Sequence, residues 1–247
     1  MFDYKLGKYR LRLLDKNNDE ELKSVQELRY NDLLKEFNEQ LASGGIDDDH
    51  YDKYSDSLIV IDEENNILVG TYRLASYETG LNKLLLENEF DISALKSQKD
   101  KVLELGRAVV KKEYRNGSVI NILWFGLFQY SKTFNYRYLI GTCSLHGTDP
   151  SVYIDTLSYL NKYSLSKFDI RAVKNSYEYY NEDINEKETE GKMPSLLKAY
   201  LKLGAKVSRN GYIDYSFNSC DVLVVLDMEN ANQRYIDFYT RMVNSAI

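Results

Sequence analysis

The sequence predicts an α/β fold, a mixed sheet with helices on both of its faces, in a single domain over residues 1–247. Three observations carry this. The runs Val102–Val110, Tyr138–Cys143 and Val222–Leu226 are short, apolar and rich in Val, Ile and Leu, the pattern of strands buried on both sides. Between the first two, Val119, Ile120, Leu123, Trp124 and Leu127 follow helical spacing, so strand and helix patterns are interleaved as in α/β folds. With only 2 prolines and no Gly/Ser-rich tract, the chain has no candidate linker.

In chain order, Tyr9–Leu14 reads as a first strand. Glu20–Leu41 reads as a helix, with Leu22, Val25, Leu28, Leu33, Phe37 and Leu41 on one face, Asp19 as N-cap and Gly44-Gly45 at its end. Leu58–Ile61 and Ile67–Leu74 flank the turn Asp62–Asn66 and predict a hairpin. A helix from Ser151 to Tyr163 follows Asp149-Pro150, and a short strand lies near Ile170–Val173. The polar stretch of about 175–192, NSYEYYNEDINEKETEGK, reads as a surface loop or insertion. Leu196–Leu203 is a helix led by Pro194 and stopped by Gly204, and a last helix occupies about 232–243.

Composition removes several functions. A net charge of −6 argues against nucleic acid as a partner, because phosphate backbones select basic faces. The N-terminus MFDYKLGKYRLRLL lacks a signal-peptide core, and the apolar patch Val119–Phe128 is too short to span a bilayer. Cys143 and Cys220 sit in or beside apolar strands and read as small buried hydrophobes in a reducing compartment. A cytoplasmic protein is expected. The 22 tyrosines supply amphipathic packing material for half-polar surfaces.

The chemistry concentrates in Val102–Leu127. Glu104 and Arg107 interrupt an apolar strand, where ionised groups persist only if paired, hydrogen-bonded or used. The strand meets Arg115-Asn116-Gly117-Ser118, after which the helix begins; amides at such a start seat a phosphate. A buried acid followed by a phosphate seat points to an enzyme using an acyl donor on phosphopantetheine. In isolation the segment also reads as an ordinary strand-to-helix connection. Acyl transfer to an amine needs a deprotonated nucleophile; Glu104 is the candidate base, with apolar neighbours expected to raise its pKa. The other reading makes Glu104 half of a buried ion pair. Asp47-Asp48-Asp49-His50 reads as an acidic loop, and no metal is expected.

The segments LRY (28–30), DDDHYD (47–52), VGTYRL (69–74), ELGRAVV (104–110), YLIGTCSLHGTD (138–149) and MPSLLKAYLKLGAKV (193–207), followed by Asp214, Phe217 and Asp221, occur in a familiar order. Together they resemble the GNAT-superfamily long-chain N-acyltransferases of the ornithine-lipid and N-acyl amino acid synthase branch, related to the acyl-homoserine-lactone synthases. The resemblance implies a splayed central sheet and an E-x-x-R pair, here Glu104 and Arg107. It implies a β-bulge near Gly106, and backbone amides at Ala108, Val109 and Val110 that polarise the thioester. Arg115, Asn116, Gly117 and Ser118 would hold the donor's phosphate, with Val119 standing where acetyl-CoA enzymes usually carry a second glycine. That departure favours acyl carrier protein over acyl-CoA as donor, with Lys111, Lys112 and Arg115 at the docking entrance and no tightly bound cofactor. Arg29, Asp49, Asp52 and Arg73 match an ion network near the amine acceptor.

The implied activity moves a long acyl chain, 3-hydroxyacyl among its forms, to a small amino acid such as ornithine or glycine, with transient membrane contact as the lipid product leaves. Without a tryptophan between Arg29 and Asp49, lactone synthesis is disfavoured. The alternative is an acetyl-CoA-dependent N-acetyltransferase acting on a small amine or peptide.

Overall fold

A computed structural model describes residues 2–38, 44–177 and 183–244. In chain order the principal elements are β1 (Asp3–Leu6), β2 (Tyr9–Leu13), α1 (Asp19–Arg29), β3 (Ser55–Asp62), β4 (Ile67–Ala75), β5 (Val102–Val110) and α2 (Ser118–Phe134). They continue as β6 (Tyr138–His146), α3 (Ile154–Tyr163), α4 (Glu186–Lys192), α5 (Ser195–Lys202), β7 (Gly211–Asp214), β8 (Ser219–Asp227) and α6 (Gln233–Asn244). The chain divides into two compact units, residues 1–82, 103–135 and 233–247, and residues 83–102 and 136–232.

The first unit holds an antiparallel sheet in the order β1-β2-β3-β4-β5. Leu58, Ile59 and Val60 of β3 are all buried, as a strand covered on both faces requires. The covering helices lie on opposite faces of β4. Gly70 faces α2 so closely that a Cβ there would sit 2.6 Å from Val119 Cγ1, and at Gly126 a Cβ would meet Leu11 Cδ2 at 2.8 Å. Arg73, three residues on, therefore projects to the other side, toward α1. Trp124 of α2 is buried and stacks on Tyr239 of α6, with ring centroids 5.8 Å apart.

Several boundaries differ from expectation. The helix cap is Asn18, whose side chain accepts from the Glu21 amide at 3.1 Å, not Asp19. Regular α-helix stops at Arg29 and continues as a π-helical turn, Tyr30–Leu34, and a short helix, Lys35–Phe37. The rest of the expected helix, 39–41, lies outside the described residues. The strand β1, not anticipated, pairs with β2 through a turn in which Gly7 has φ 62°.

The second unit is built on β6 and β8, antiparallel over nine register pairs from Tyr138↔Asp227 to His146↔Ser219. β7 flanks β8, and Ser176–Tyr177 flanks β7. The short strand Lys206–Val207 also pairs with β8. Burial pushes the Cys143 and Cys220 thiols up to about 12, so both behave as inert hydrophobes. Part of the stretch read as a loop is helical. Asn185 caps α4 by accepting from the Glu188 amide at 3.3 Å, and Lys192 bonds Glu188 one turn away at 2.6 Å.

Candidate active site

The site begins with a defect in β5. Its register against β4 runs Ala75↔Glu104, Leu74↔Leu105, Arg73↔Gly106, then jumps to Thr71↔Val109 and Gly70↔Val110. Tyr72 thus faces two residues, Arg107 and Ala108, which is a β-bulge. The expectation centred it on Gly106. The left-handed residue is instead Arg107, with φ 53°, and Gly106 lies outside that region. A non-glycine residue there stores strain of roughly 1 kcal/mol or more that its surroundings must offset. The bulge breaks strict alternation between positions 104 and 107. Glu104 is buried at 6% exposure, and its negative charge helps keep the Arg73 guanidinium protonated.

Around these residues the unit gathers a charge network from α1, the 47–52 loop, β4 and the bulge. Arg29, 1% exposed, donates from Nη1 to Asp52 Oδ1 at 2.8 Å and from Nη2 to Asp52 Oδ2 at 2.6 Å. Arg73, 3% exposed, donates from Nη1 to both oxygens of Asp49 at 2.7 Å and to Asp52 Oδ1 at 3.3 Å. Gln26 adds a donor to Asp52 at 3.2 Å and one to Asp48 at 3.1 Å. Burial pushes the Asp52 pKa up, but the Arg29 hydrogen bond and charge, with Gln26 and Arg73, outweigh it and hold the carboxyl below its ordinary value. Burial likewise opposes the charge on Arg73, and Asp49, Asp52 and Glu104 more than restore it. The four residues matched from sequence are therefore brought together. Asp47 joins them, although its place in an acidic loop gave no sign of it. Its carboxylate accepts from Arg107 Nε at 2.7 Å and Nη2 at 3.4 Å.

Beyond the bulge, β5 leads through the short helical turn Lys112–Tyr114 to Gly117, whose φ of 96° suits glycine. Asn116 Oδ1 accepts from the Ser118 amide at 3.0 Å and shapes the entry to α2. Each nitrogen of the Arg115 guanidinium already donates within the protein: Nε to Val110 O at 2.9 Å, Nη1 to Glu36 at 2.6 Å and Nη2 to Asp32 O at 2.7 Å. Arg115 thus braces the turn against the segment that follows α1. Lys111 and Lys112 stay at the mouth of the turn, half-buried and exposed. Among the described residues, the acids that converge closely enough for a metal are Glu89, Asp214 and Asp221 of the second unit, not the 47–50 loop.

The bulged strand thus bears a buried acid and leads into a glycine-opened helix. Residues 28–125 match the acetyltransferase (GNAT) domain. Across 90% of its length the chain is 32% identical to an L-ornithine N(alpha)-acyltransferase of Agrobacterium fabrum, covering 82% of that protein. With an L-ornithine N(alpha)-acyltransferase of Brucella abortus it shares 32% identity over 97% of the chain and 92% of the relative. The fold is similar to that of a CoA-dependent acyl-homoserine lactone synthase, MesI, with TM-score 0.53, 13% identity and 95% of each chain covered. The chain is therefore a GNAT-type N-acyltransferase. It belongs to the family of the L-ornithine N(alpha)-acyltransferases.

Among the described residues, no helix is long and apolar enough to cross a membrane.

Proposed function

We propose that this enzyme transfers a long acyl chain from a phosphopantetheine thioester to the α-amine of L-ornithine. The observation that carries the reading is Glu104, buried on a bulged strand beside a network of three arginines, in a chain of the ornithine acyltransferase family. In this mechanism Glu104 takes the proton from the acceptor's ammonium, directly or through a water, and frees the nitrogen lone pair. The nitrogen attacks the thioester carbonyl. Amides at Ala108, Val109 and Val110 stabilise the oxyanion; as the C–S bond breaks, the second proton of the attacking nitrogen passes to the sulfur, leaving the neutral amide and the pantetheine thiol. Of the two candidate cations for the acceptor's carboxylate, Arg73 and Arg107, the more exposed Arg107 takes the role, at 23% side-chain exposure against 4%.

The donor's phosphate lies against the first turn of α2, where Gly117 allows close approach and the helix dipole favours an anion. With Arg115 committed to Glu36 and Asp32, the cations left at the entrance are Lys111 and Lys112. That pair fits an acidic acyl carrier protein as donor. The product, an acylated amino acid, is amphipathic and leaves to a membrane surface.

The test is a donor panel: purified enzyme with L-ornithine and, in turn, 3-hydroxyacyl carrier protein, the same acyl chain on CoA, and acetyl-CoA. The expected result is fastest turnover with the carrier protein and little with acetyl-CoA. Turnover with acetyl-CoA alone would replace the reading with a short-chain N-acetyltransferase.

A further inference from the structure

Asp47 is the acid that connects α1 to the bulge. Its amide donates to Gln26 O at 3.1 Å, and its own carbonyl oxygen accepts from Arg29 Nη2. Its carboxylate stands 3.1 Å from Arg29 Nε, near enough for ionic attraction but off the line of a hydrogen bond. Asp47 is thus fixed to the helix by its backbone, and only 6% of it is exposed. Its two carboxylate oxygens take the Nε–Nη2 edge of Arg107. Asp49, the other acid near Arg107, lies 3.6 Å from Nη2 and makes its short bonds to Arg73.

This arrangement has a consequence for Arg107. Its backbone is left-handed, so nothing in regular strand geometry aims its side chain. With the Nε–Nη2 edge held by a fixed partner, the guanidinium plane is set, and Nη1 has no partner among the described residues. An edge presented this way suits a planar anion, since guanidinium and carboxylate match geometrically.

We infer that Asp47 is a positioning residue: it holds Arg107 so that the open edge of the guanidinium receives the carboxylate of the amino acid acceptor. Asp47 touches neither substrate and acts through Arg107. The inference rests on the reading of an amino acid as acceptor. It makes Asp47 a determinant of discrimination between amino acids and simple amines.

The experiment compares L-ornithine with 1,4-diaminobutane, the same diamine without its carboxylate, in the wild type, Asp47→Ala, Asp47→Asn and Asp47→Glu. In Asp47→Ala, the ratio of kcat/KM for ornithine to that for the diamine falls about 10- to 100-fold, as expected for a misaimed charge-assisted contact. The loss appears mainly as a raised ornithine KM while the KM for the acyl donor stays within about twofold. Asp47→Glu recovers part of the ratio, and Asp47→Asn recovers less. Parallel 1H–15N spectra follow the Arg107 Nε–H signal, expected to be protected in the wild type and lost in Asp47→Ala.

Equal losses on both amines, or an unchanged ratio, would overturn the inference. An Arg107 signal unaffected by Asp47→Ala would overturn it as well. A wild type that acylates no amino acid would instead refute the proposed function, and the Nε–H signal would still judge whether Asp47 sets Arg107.

Discussion

Arg73→Gln and Asp52→Asn should each destabilise the protein, and the double variant should be more stable than the sum of the two losses. The two side chains are 4% and 5% exposed and 3.3 Å apart. Arg29, Arg73 and Arg107 stand against Asp47, Asp49 and Asp52, with the Glu104 charge also acting on Arg73. Arg73→Gln leaves Asp49 without its closest cation and Asp52 with Arg29 alone. Breaking a buried pair from one side costs about 3–5 kcal/mol; Asp49 keeps 22% side-chain exposure, which lowers the expectation to about 3 kcal/mol. Asp52→Asn is milder, about 1–2 kcal/mol, because Arg73 retains Asp49 and Arg29 keeps the Asp47 carboxylate nearby. The double variant removes one charge of each sign and returns the cluster to its wild-type net charge, so a coupling of about 1 kcal/mol or more is expected. Urea unfolding of the wild type and three variants at pH 7 measures it, provided the m-values agree. Losses that add to within about 0.3–0.5 kcal/mol would refute the shared network.

Glu104→Gln should keep its melting temperature within a few degrees yet lower turnover by about two to four orders of magnitude, the range for losing a general base; near-normal turnover at neutral pH would remove Glu104 from the mechanism. Lys111→Glu with Lys112→Glu should raise KM for the acyl carrier protein, increasingly so at low salt, and barely alter a small thioester analogue; equal losses on both donors would point to damage at the turn. In the second unit, burial first and the Asp214 charge next push the Asp221 pKa from 3.8 to about 6, despite hydrogen bonds from Ser144 and Ser219. A raised acid favours the folded state fully below pH 3.8 and loses that contribution as pH rises through about 6, a difference on the order of 2–3 kcal/mol. Asp221→Asn should therefore gain stability over the wild type at pH 7.5 and lose the advantage at pH 4, read by denaturation at both; a gain independent of pH would contradict the shift.

The strands Val102–Val110 and Val222–Leu226 were legible from their runs of Val, Leu and Ala, which Glu104, Gly106 and Arg107 interrupt in the first without hiding it. Arg29, Asp49, Asp52 and Arg73 were legible through the family resemblance of the segments that carry them. Asp47 was not: next to Asp48 in an acidic run, nothing local separates the residue that turns inward from its exposed neighbour. The bulge was anticipated one residue early. Glycine marks where a left-handed residue is easiest, whereas here the Asp47–Arg107 pair holds a strained arginine in place. The bonds of Arg115 to Asp32 and Glu36 could not be read from the turn, because those partners lie about eighty residues away in sequence. The helix α4 was hidden by its polarity. Its stability draws on the Asn185 cap and on Glu186 bonding Lys162 and Tyr163 of α3 rather than on an apolar stripe.

The central claim, that this chain joins an acyl chain to an amino acid's α-amine with Glu104 as base, is tested most directly by the product itself. Purified wild type and Glu104→Gln are incubated with 3-hydroxyacyl carrier protein and L-ornithine, and the product is fragmented by tandem mass spectrometry. The account predicts α-N-acylornithine from the wild type and at most about one hundredth of that rate from Glu104→Gln. Acylation at the δ-amine, no acylated amino acid from the wild type, or equal product from both enzymes would contradict it.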